Sequence, residues 1–324
     1  AGFVRAGRTR GGDGEINLTN GGHMQISAGT SNNTDTYEPG LQIARNPGSV
    51  GAVNIDGAGS RIQMIQSQPA NGEFGIGGPS VQVGRGGYGS LTITNGGHLD
   101  MDSGGGFLGV GQRYGGLGEL TIAGSGSAIV MQGEDFGSTA VIGGEEFSRA
   151  IVNIDSGGVL QLVNGDTQLQ IGNQGVATVN VNGGTIANQG TNAFTGIGGS
   201  GSYRVEVVVD NFGQIQTTGD MHIGGGDGSG KASVTIQGGG FISADAITIF
   251  DGGTLAGVGN VNADVFVSGG TVSPGLSPGI LNVNGNFSLD EGKLVLSFDD
   301  TVSGGYDVLQ ISGNASLNGG VVEI

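Results

Sequence analysis

One phrase recurs eight times between Val4 and Val234: a short apolar strand ending in Ile-Gly or Val-Gly, a polar glycine-rich turn, a Leu-Thr-Ile-like strand, a Gly-Gly step and a third apolar strand. It reads clearly in Val81-Gln82-Val83-Gly84, Ser90-Leu91-Thr92-Ile93-Thr94 and Gly96-Gly97-His98-Leu99-Asp100-Met101. Aligning the first strands puts Val4, Ile43, Val83, Val110, Ile142, Ile171, Ile197 and Ile223 in register, with steps of roughly 26 to 40 residues. A strand-only period of that size marks a solenoid.

Each segment is too short to bury a core alone, and stacking like units lines their inward side chains into one continuous core. The reading is all-β: a single-stranded parallel β-helix (β-solenoid), with three strands per coil and about ten coils. Coils about 4.8 Å apart make a rod on the order of 50 Å long. The hand of the helix stays open. Glycine, 74 of 324 residues, serves the left-handed corners, and no Gly-X-Y register points to collagen.

The eight units fill residues 1–245. After Asp245 the apolar segments crowd together, as in Thr248-Ile249-Phe250 and Asp264-Val265-Phe266-Val267, so 246–324 reads as C-terminal solenoid coils and a capping region closing one end of the core. Two long insertions, Ser27 to Gly40 and Ile65 to Ser80, each follow a third strand and leave from the same corner. Insertions on one face of a solenoid commonly form its binding face, and these carry Tyr37, Glu38, Gln68, Asn71, Glu73 and Phe74.

Eleven Lys and Arg stand against 28 Asp and Glu, and the net charge of -17 repels nucleic acid and anionic lipid. No apolar run is long enough to span a bilayer, so no membrane insertion by this segment is expected. The lack of cysteine suits an exported protein. No signal peptide is visible at Ala1, and any such segment is expected to have been removed.

The stretch Gly269-Gly270-Thr271-Val272-Ser273-Pro274-Gly275-Leu276-Ser277-Pro278-Gly279-Ile280-Leu281-Asn282-Val283-Asn284-Gly285, followed by Tyr306-Asp307-Val308-Leu309 and Gly319-Gly320, resembles the C-terminal end of autotransporter-like passenger domains. The upstream units are similar to repeats of those passengers and of exported proteins bearing a PEP-CTERM sorting signal. This resemblance implies a secreted or surface-displayed bacterial β-helix with a role in adhesion, matrix or sheath building. After Ile324 there is neither an outer-membrane barrel nor a sorting helix, which leaves the mode of anchoring open.

The basic residues are the sharpest candidates. Arg8, Arg10, Arg45, Arg85, Arg113, Arg149, Arg204 and Lys231 all fall in the turn from first to second strand, and Tyr88, Tyr114, Phe147 and Tyr203 share it. A corner stripe of Arg45, Arg85, Tyr88, Arg113, Tyr114, Arg149, Tyr203 and Arg204 suits a carboxylated polysaccharide or the acidic flank of another copy. The internal alternative is that these arginines stack on the aromatics and pair with Glu15, Glu119, Glu146 or Glu206.

A polysaccharide lyase or hydrolase would need neighbouring carboxylates, and Asp100 with Asp102, Glu134 with Asp135, and Glu145 with Glu146 are the candidates. Alternation turns Asp100 and Asp102 outward around an inward Met101, as ordinary solvated carboxylates. Gly225 to Gly230, with Asp227, is faintly similar to a calcium-loading repeat turn but occurs once, so loosely bound calcium is the limit of a metal reading and no cofactor is expected. His23 and His98 hold equivalent places two coils apart, too far to share zinc, and His222 lies in a first strand. Thr19, Thr92, Thr94, Thr121, Thr178 and Thr235 recur as a row that Asn54 and Asn153 interrupt.

The expected function is non-enzymatic: a secreted or surface-displayed structural or adhesive β-solenoid, extracellular or on the bacterial cell surface. Expected partners are further copies, joined end to end into a filament from an uncapped first coil, or an extracellular glycan or cell-surface ligand. The competing class is a polysaccharide-binding or polysaccharide-degrading β-helix.

Overall fold

The computed structural model describes residues 3–27, 40–65, 78–102, 105–113, 115–133, 137–199, 201, 204–225, 230–276, 278–298 and 305–324. Coil one consists of β1 (Phe3–Ala6), β2 (Asp13–Thr19) and β3 (His23–Ser27). Each pairs in parallel with its counterpart in coil two, Gly40–Ile43, Val50–Asp56 and Arg61–Ile65. Repetition of this step builds three parallel sheets that run from coil to coil. The described residues make eleven complete coils and two strands of a twelfth, slightly more than the repeat alone predicts.

The crowding after Asp245 has a simple origin. Phe241–Phe250 starts in the third sheet and ends in the first, and Gly259–Pro274 contributes to all three sheets without a break. These coils omit the turn residues that separate strands in the earlier units.

Strict alternation sets the core. In coil three Val81, Val83, Leu91, Ile93, Leu99 and Met101 are fully buried, and each stacks on its equivalents above and below, as Met101 does between Met64 and Met131. Burying one such side chain stabilises the fold by about 1.5–3 kcal/mol. The register corrects one alignment: Ala6, not Val4, is the equivalent of Ile43, because Val4 pairs with Leu41. Coil one closes its first strand with Ala6-Gly7 where later coils have Ile or Val, so the apolar Val4 draws the alignment two residues early. In the twelfth coil the inward Leu317 and Val322 stay 62% and 45% exposed.

Outward side chains link neighbouring coils. Asn54 Nδ2 donates to Asn17 Oδ1 at 2.8 Å and Asn180 Nδ2 to Asn153 Oδ1 at 2.9 Å. Gln161 Nε2 donates to Gln189 Oε1 at 3.1 Å, Gln237 Nε2 to Asp210 Oδ2 at 2.8 Å, and Asn318 Nδ2 to Asp290 Oδ1 at 2.8 Å. Thr92 and Thr121 share their row with Asn17, Asn54, Asn153 and Asn180, whereas Thr19 and Thr178 lie on neighbouring rows. The row is thus a mixed Asn/Thr ladder rather than an interrupted threonine array.

Candidate functional site

The corner between first and second strands is built on a left-handed residue in each of the first eight coils: Gly7, Ala44, Gly84, Gly111, Gly143, Gly172, Gly198 and Gly224. Behind it, the first inward position of the second strand is Gly14, Gly51, Gly89 and Gly118 in coils one to four, then Ala150, Ala177, Val205 and Ala232. A β-carbon on Gly89 or Gly118 would lie 2.3 Å from the backbone nitrogen of Gly84 or Gly111. Coils one to four therefore share one tightly folded corner.

Coils one, two, four and five carry a turn of equal length here, closed by a backbone hydrogen bond to Thr9, Asn46, Arg113 and Glu145 carbonyls from Gly12, Ser49, Gly116 and Ser148 at 2.8–3.1 Å. Arg8 and Arg45 follow the left-handed residue directly, as Arg85 does in the shorter turn of coil three, and Arg113 follows one place later in coil four. Asn46 Nδ2 donates to the Arg8 carbonyl and ties two of these turns together.

These guanidinium groups feel one another. Burial, then Arg113 and Arg45, lower the pKa of Arg85, while Glu145 acts in the opposite direction. Burial, then Arg8 and Arg45, likewise lower that of Arg5, whose Nε donates to Gln42 Oε1 at 2.9 Å. Arg5, Arg8, Arg45, Arg85 and Arg113 thus form one connected positive row over coils one to four. Among the described residues Arg45, Arg85 and Arg113 form no ion pair, and Arg85 Nε is buried with no hydrogen-bond partner.

The remaining stripe residues stand apart from this row. Tyr88 and Arg149 begin their second strands, in the row Val50, Tyr88, Leu117, Arg149, Val176, and Arg204 continues it through its carbonyl bond from Ala177. The stripe is therefore two parallel rows. Tyr88 donates its hydroxyl to Glu119 at 2.8 Å, which raises the phenol pKa, and Arg204 Nη2 lies 3.2 Å from Glu206. Of the arginine–glutamate pairs that the internal alternative offers, Arg204 with Glu206 forms, and among the described residues Arg45, Arg85 and Arg113 form no ion pair. Within the positive row Arg5 stacks over the Phe3 ring, 5.1 Å from its centroid.

Phe147 occupies the turn position held by Gly11, Gly48 and Gly115 in the equal-length turns, at φ +60° and 51% exposed. A bulky residue in this backbone region is strained, and it stands in the coil that follows Arg113. Tyr37, Glu38, Phe74, Tyr114 and Tyr203 lie outside the described residues, as do Gln68, Asn71, Glu73, Glu134, Asp135 and Asp227.

A second polar group lies on the outer face of the third sheet, where Asp100 and Asp102, a candidate pair in the sequence, meet Arg61, which the sequence does not link to them. Arg61 Nε lies 2.6 Å from Asp100 Oδ2, too misaligned for a hydrogen bond, and Arg61 Nη2 lies 3.9 Å from Asp102. His98 Nδ1 is 3.7 Å from Asp100 Oδ1, and Gln63 Nε2 donates to Asp102 Oδ2 at 2.6 Å. Asp100 is only 7% exposed, which corrects its reading as a solvated carboxylate. Arg61 belongs to coil two and Asp100 to coil three, and only the inter-coil register, in which Arg61 pairs with His98, brings them together. His222 stands apart, edge-on between the Phe194 and Phe250 rings at 4.9 and 5.0 Å. Among the described residues no three His, Asp or Glu side chains gather as a metal site would need.

Fold and corner define a parallel β-solenoid with a charged edge. No protein-family model and no curated protein matches the chain. Among solved structures, a TibC-catalysed hyper-glycosylated fragment of TibA is similar at 13% identity over 99% of this chain and 100% of that one, with a TM-score of 0.24.

Proposed function

We propose that this β-solenoid is a structural or adhesive protein of the extracellular space or bacterial cell surface, a stiff scaffold that presents its first corner to a partner. The observation that supports this reading is the use of outward polar side chains to join one coil to the next, in the Asn17/Asn54, Asn153/Asn180, Gln161/Gln189 and Asp290/Asn318 contacts. Such contacts add to the packing between adjacent repeats, which is where a solenoid holds its stability. The test is adhesion: beads coated with the protein, washed over surfaces bearing acidic or neutral glycans. Retention on an acidic surface above that of albumin-coated beads supports the scaffold reading, and equal retention on every surface rejects it.

One observation favours a second reading. Arg61, His98, Asp100 and Asp102 place a base, an acid and a cation on one face, the kinds of group a polysaccharide lyase or hydrolase employs. Incubation with acidic glycans separates the two: release of reducing ends or unsaturated products would assign catalysis.

A further inference from the structure

We propose that the first corner of coils two to five binds a linear acidic polysaccharide, with Arg45, Arg85 and Arg113 holding its anionic groups and Phe147 packing against the face of a sugar ring. The inference rests on the scaffold reading and names the ligand of its exposed edge.

Charge supplies the first argument. Of the 11 basic residues in a chain with 28 acidic ones, Arg61, Arg204 and Lys293 pair with carboxylates. Arg45, Arg85 and Arg113 form no ion pair among the described residues and follow one another at the same corner of three successive coils, and the buried Arg85 Nε has no acceptor. Orphaned buried donors are rare in folded proteins and mark this corner as unusual, and an anion bound over the row would screen the mutual repulsion of its guanidinium groups. Guanidinium forks accept carboxylates and sulfates in bidentate fashion.

Geometry supplies the second. Successive coils are about 4.8 Å apart, and one sugar of an extended glycan advances by a similar distance, so an anionic chain laid along the corner meets one coil per sugar. Phe147 supplies the third. Strained residues persist where function retains them, and here an aromatic ring replaces glycine at the coil that follows the last arginine. The residue is 51% exposed, which leaves part of an apolar side chain open to the C–H side of a sugar.

Nucleic acid fits less well. Its phosphates follow every ~1.7 Å of duplex and reward a broad positive field, whereas Glu145 and Glu146 follow the arginines in coil five of a molecule with net charge -17. A glycan with one charge per sugar can set anionic groups over coils two to four and an uncharged ring face on Phe147.

The test is fluorescence anisotropy with labelled oligogalacturonates of two to twelve sugars, in the intact chain, at low and moderate salt. Binding should tighten with length up to about four sugars, one per coil of the site, and weaken with salt. Arg85→Gln and Arg113→Gln should each weaken it about tenfold, the loss expected for one charge-assisted hydrogen bond, and Phe147→Gly should weaken it while leaving the salt dependence unchanged. Arg149→Gln, in the other row, is the control and should change affinity less than twofold. Arg113 is exposed, so its variant tests the idea even if the half-buried Arg85 variant misfolds. Equal affinity for neutral oligosaccharides, tighter binding of a charge-matched single-stranded DNA, or indifference to Arg113→Gln would each overturn the inference. Product release from the oligogalacturonate would instead overturn the scaffold reading on which it rests.

Discussion

Gly84 lies against Leu117 of the next coil so closely that a β-carbon on Gly84 would sit 2.0 Å from the Leu117 carbonyl oxygen. The same corner in coil two holds Ala44, fully buried at φ +53°, the one non-glycine residue among the eight equivalent positions. A left-handed L-residue costs about 1–2 kcal/mol. Ala44→Gly should therefore raise the urea midpoint, by a gain of about 1 kcal/mol after the greater freedom of unfolded glycine is offset. Gly84→Ala should lower it by more than about 2 kcal/mol, because the clash is with backbone and cannot relax by rotating a side chain.

Two kinds of second corner alternate in the early coils, and a serine joins them. Ser127 is fully buried; its hydroxyl donates to the Ala123 carbonyl at 2.7 Å and accepts from the Gly96 amide of the preceding coil at 3.0 Å. Ser60 repeats both bonds, to Asp56 and from Gly21. Ser127→Ala leaves a part-buried amide and carbonyl each short of a partner and should cost about 1–2 kcal/mol, read from the shift in denaturation midpoint.

A polar trio interrupts the core. Asn188 Nδ2 donates to the Phe194 carbonyl at 2.8 Å and to Thr195 Oγ1 at 3.1 Å, and Thr195 Oγ1 lies 2.8 Å from Thr217 Oγ1. All three face inward on coils six and seven. Asn188→Ala and Thr195→Val should each destabilise by about 1–3 kcal/mol. Their effects should fall short of additivity by at least about 0.5 kcal/mol, because one hydrogen bond is removed twice.

His222 gives the fold a pH dependence near neutrality. Burial lowers its pKa, with Asp220 acting the other way, so the folded state favours the neutral ring between Phe194 and Phe250. Its contribution is complete above the unfolded value of about 6.5 and is lost as pH falls through the lower folded value. The thermal midpoint should decline on acidification from pH 7 to 5, and His222→Phe should flatten that decline. Asp56, Asp264 and Asp290, whose carboxylate pKa values are lowered by hydrogen bonds from Thr94, Asn286 and Asn318 and their neighbours, act in a lower window. Their contribution is present above the ordinary value of about 3.9 and fades only as pH falls below it.

Much of this molecule is legible in its sequence because a β-strand alternates with period two and the solenoid repeats that alternation against itself. Ile186 and Asn188 have the same parity, so even the inward Asn188 follows from the pattern once parity outweighs polarity. The arginine row was legible for a similar reason: Arg8, Arg45 and Arg85 keep a constant offset from the left-handed residue, and any side chain at that offset stacks on its neighbours. Tyr88 and Arg149 read as part of that row in the sequence because the turn and the first strand residue are continuous there, although the backbone separates them onto two rows. Arg61 and Asp100 meet only through the register between coils, which depends on insertion lengths that alternation does not encode.

The central claim, that the first corner is the binding edge, is tested most directly by hydroxyl-radical footprinting with and without oligogalacturonate, which reads side-chain exposure. Phe147 and the peptide containing Arg113 should be protected by the glycan, while His98 on the third sheet keeps its reactivity. Protection of His98 with Phe147 unchanged would contradict the account and move the site to the Arg61 and Asp100 face.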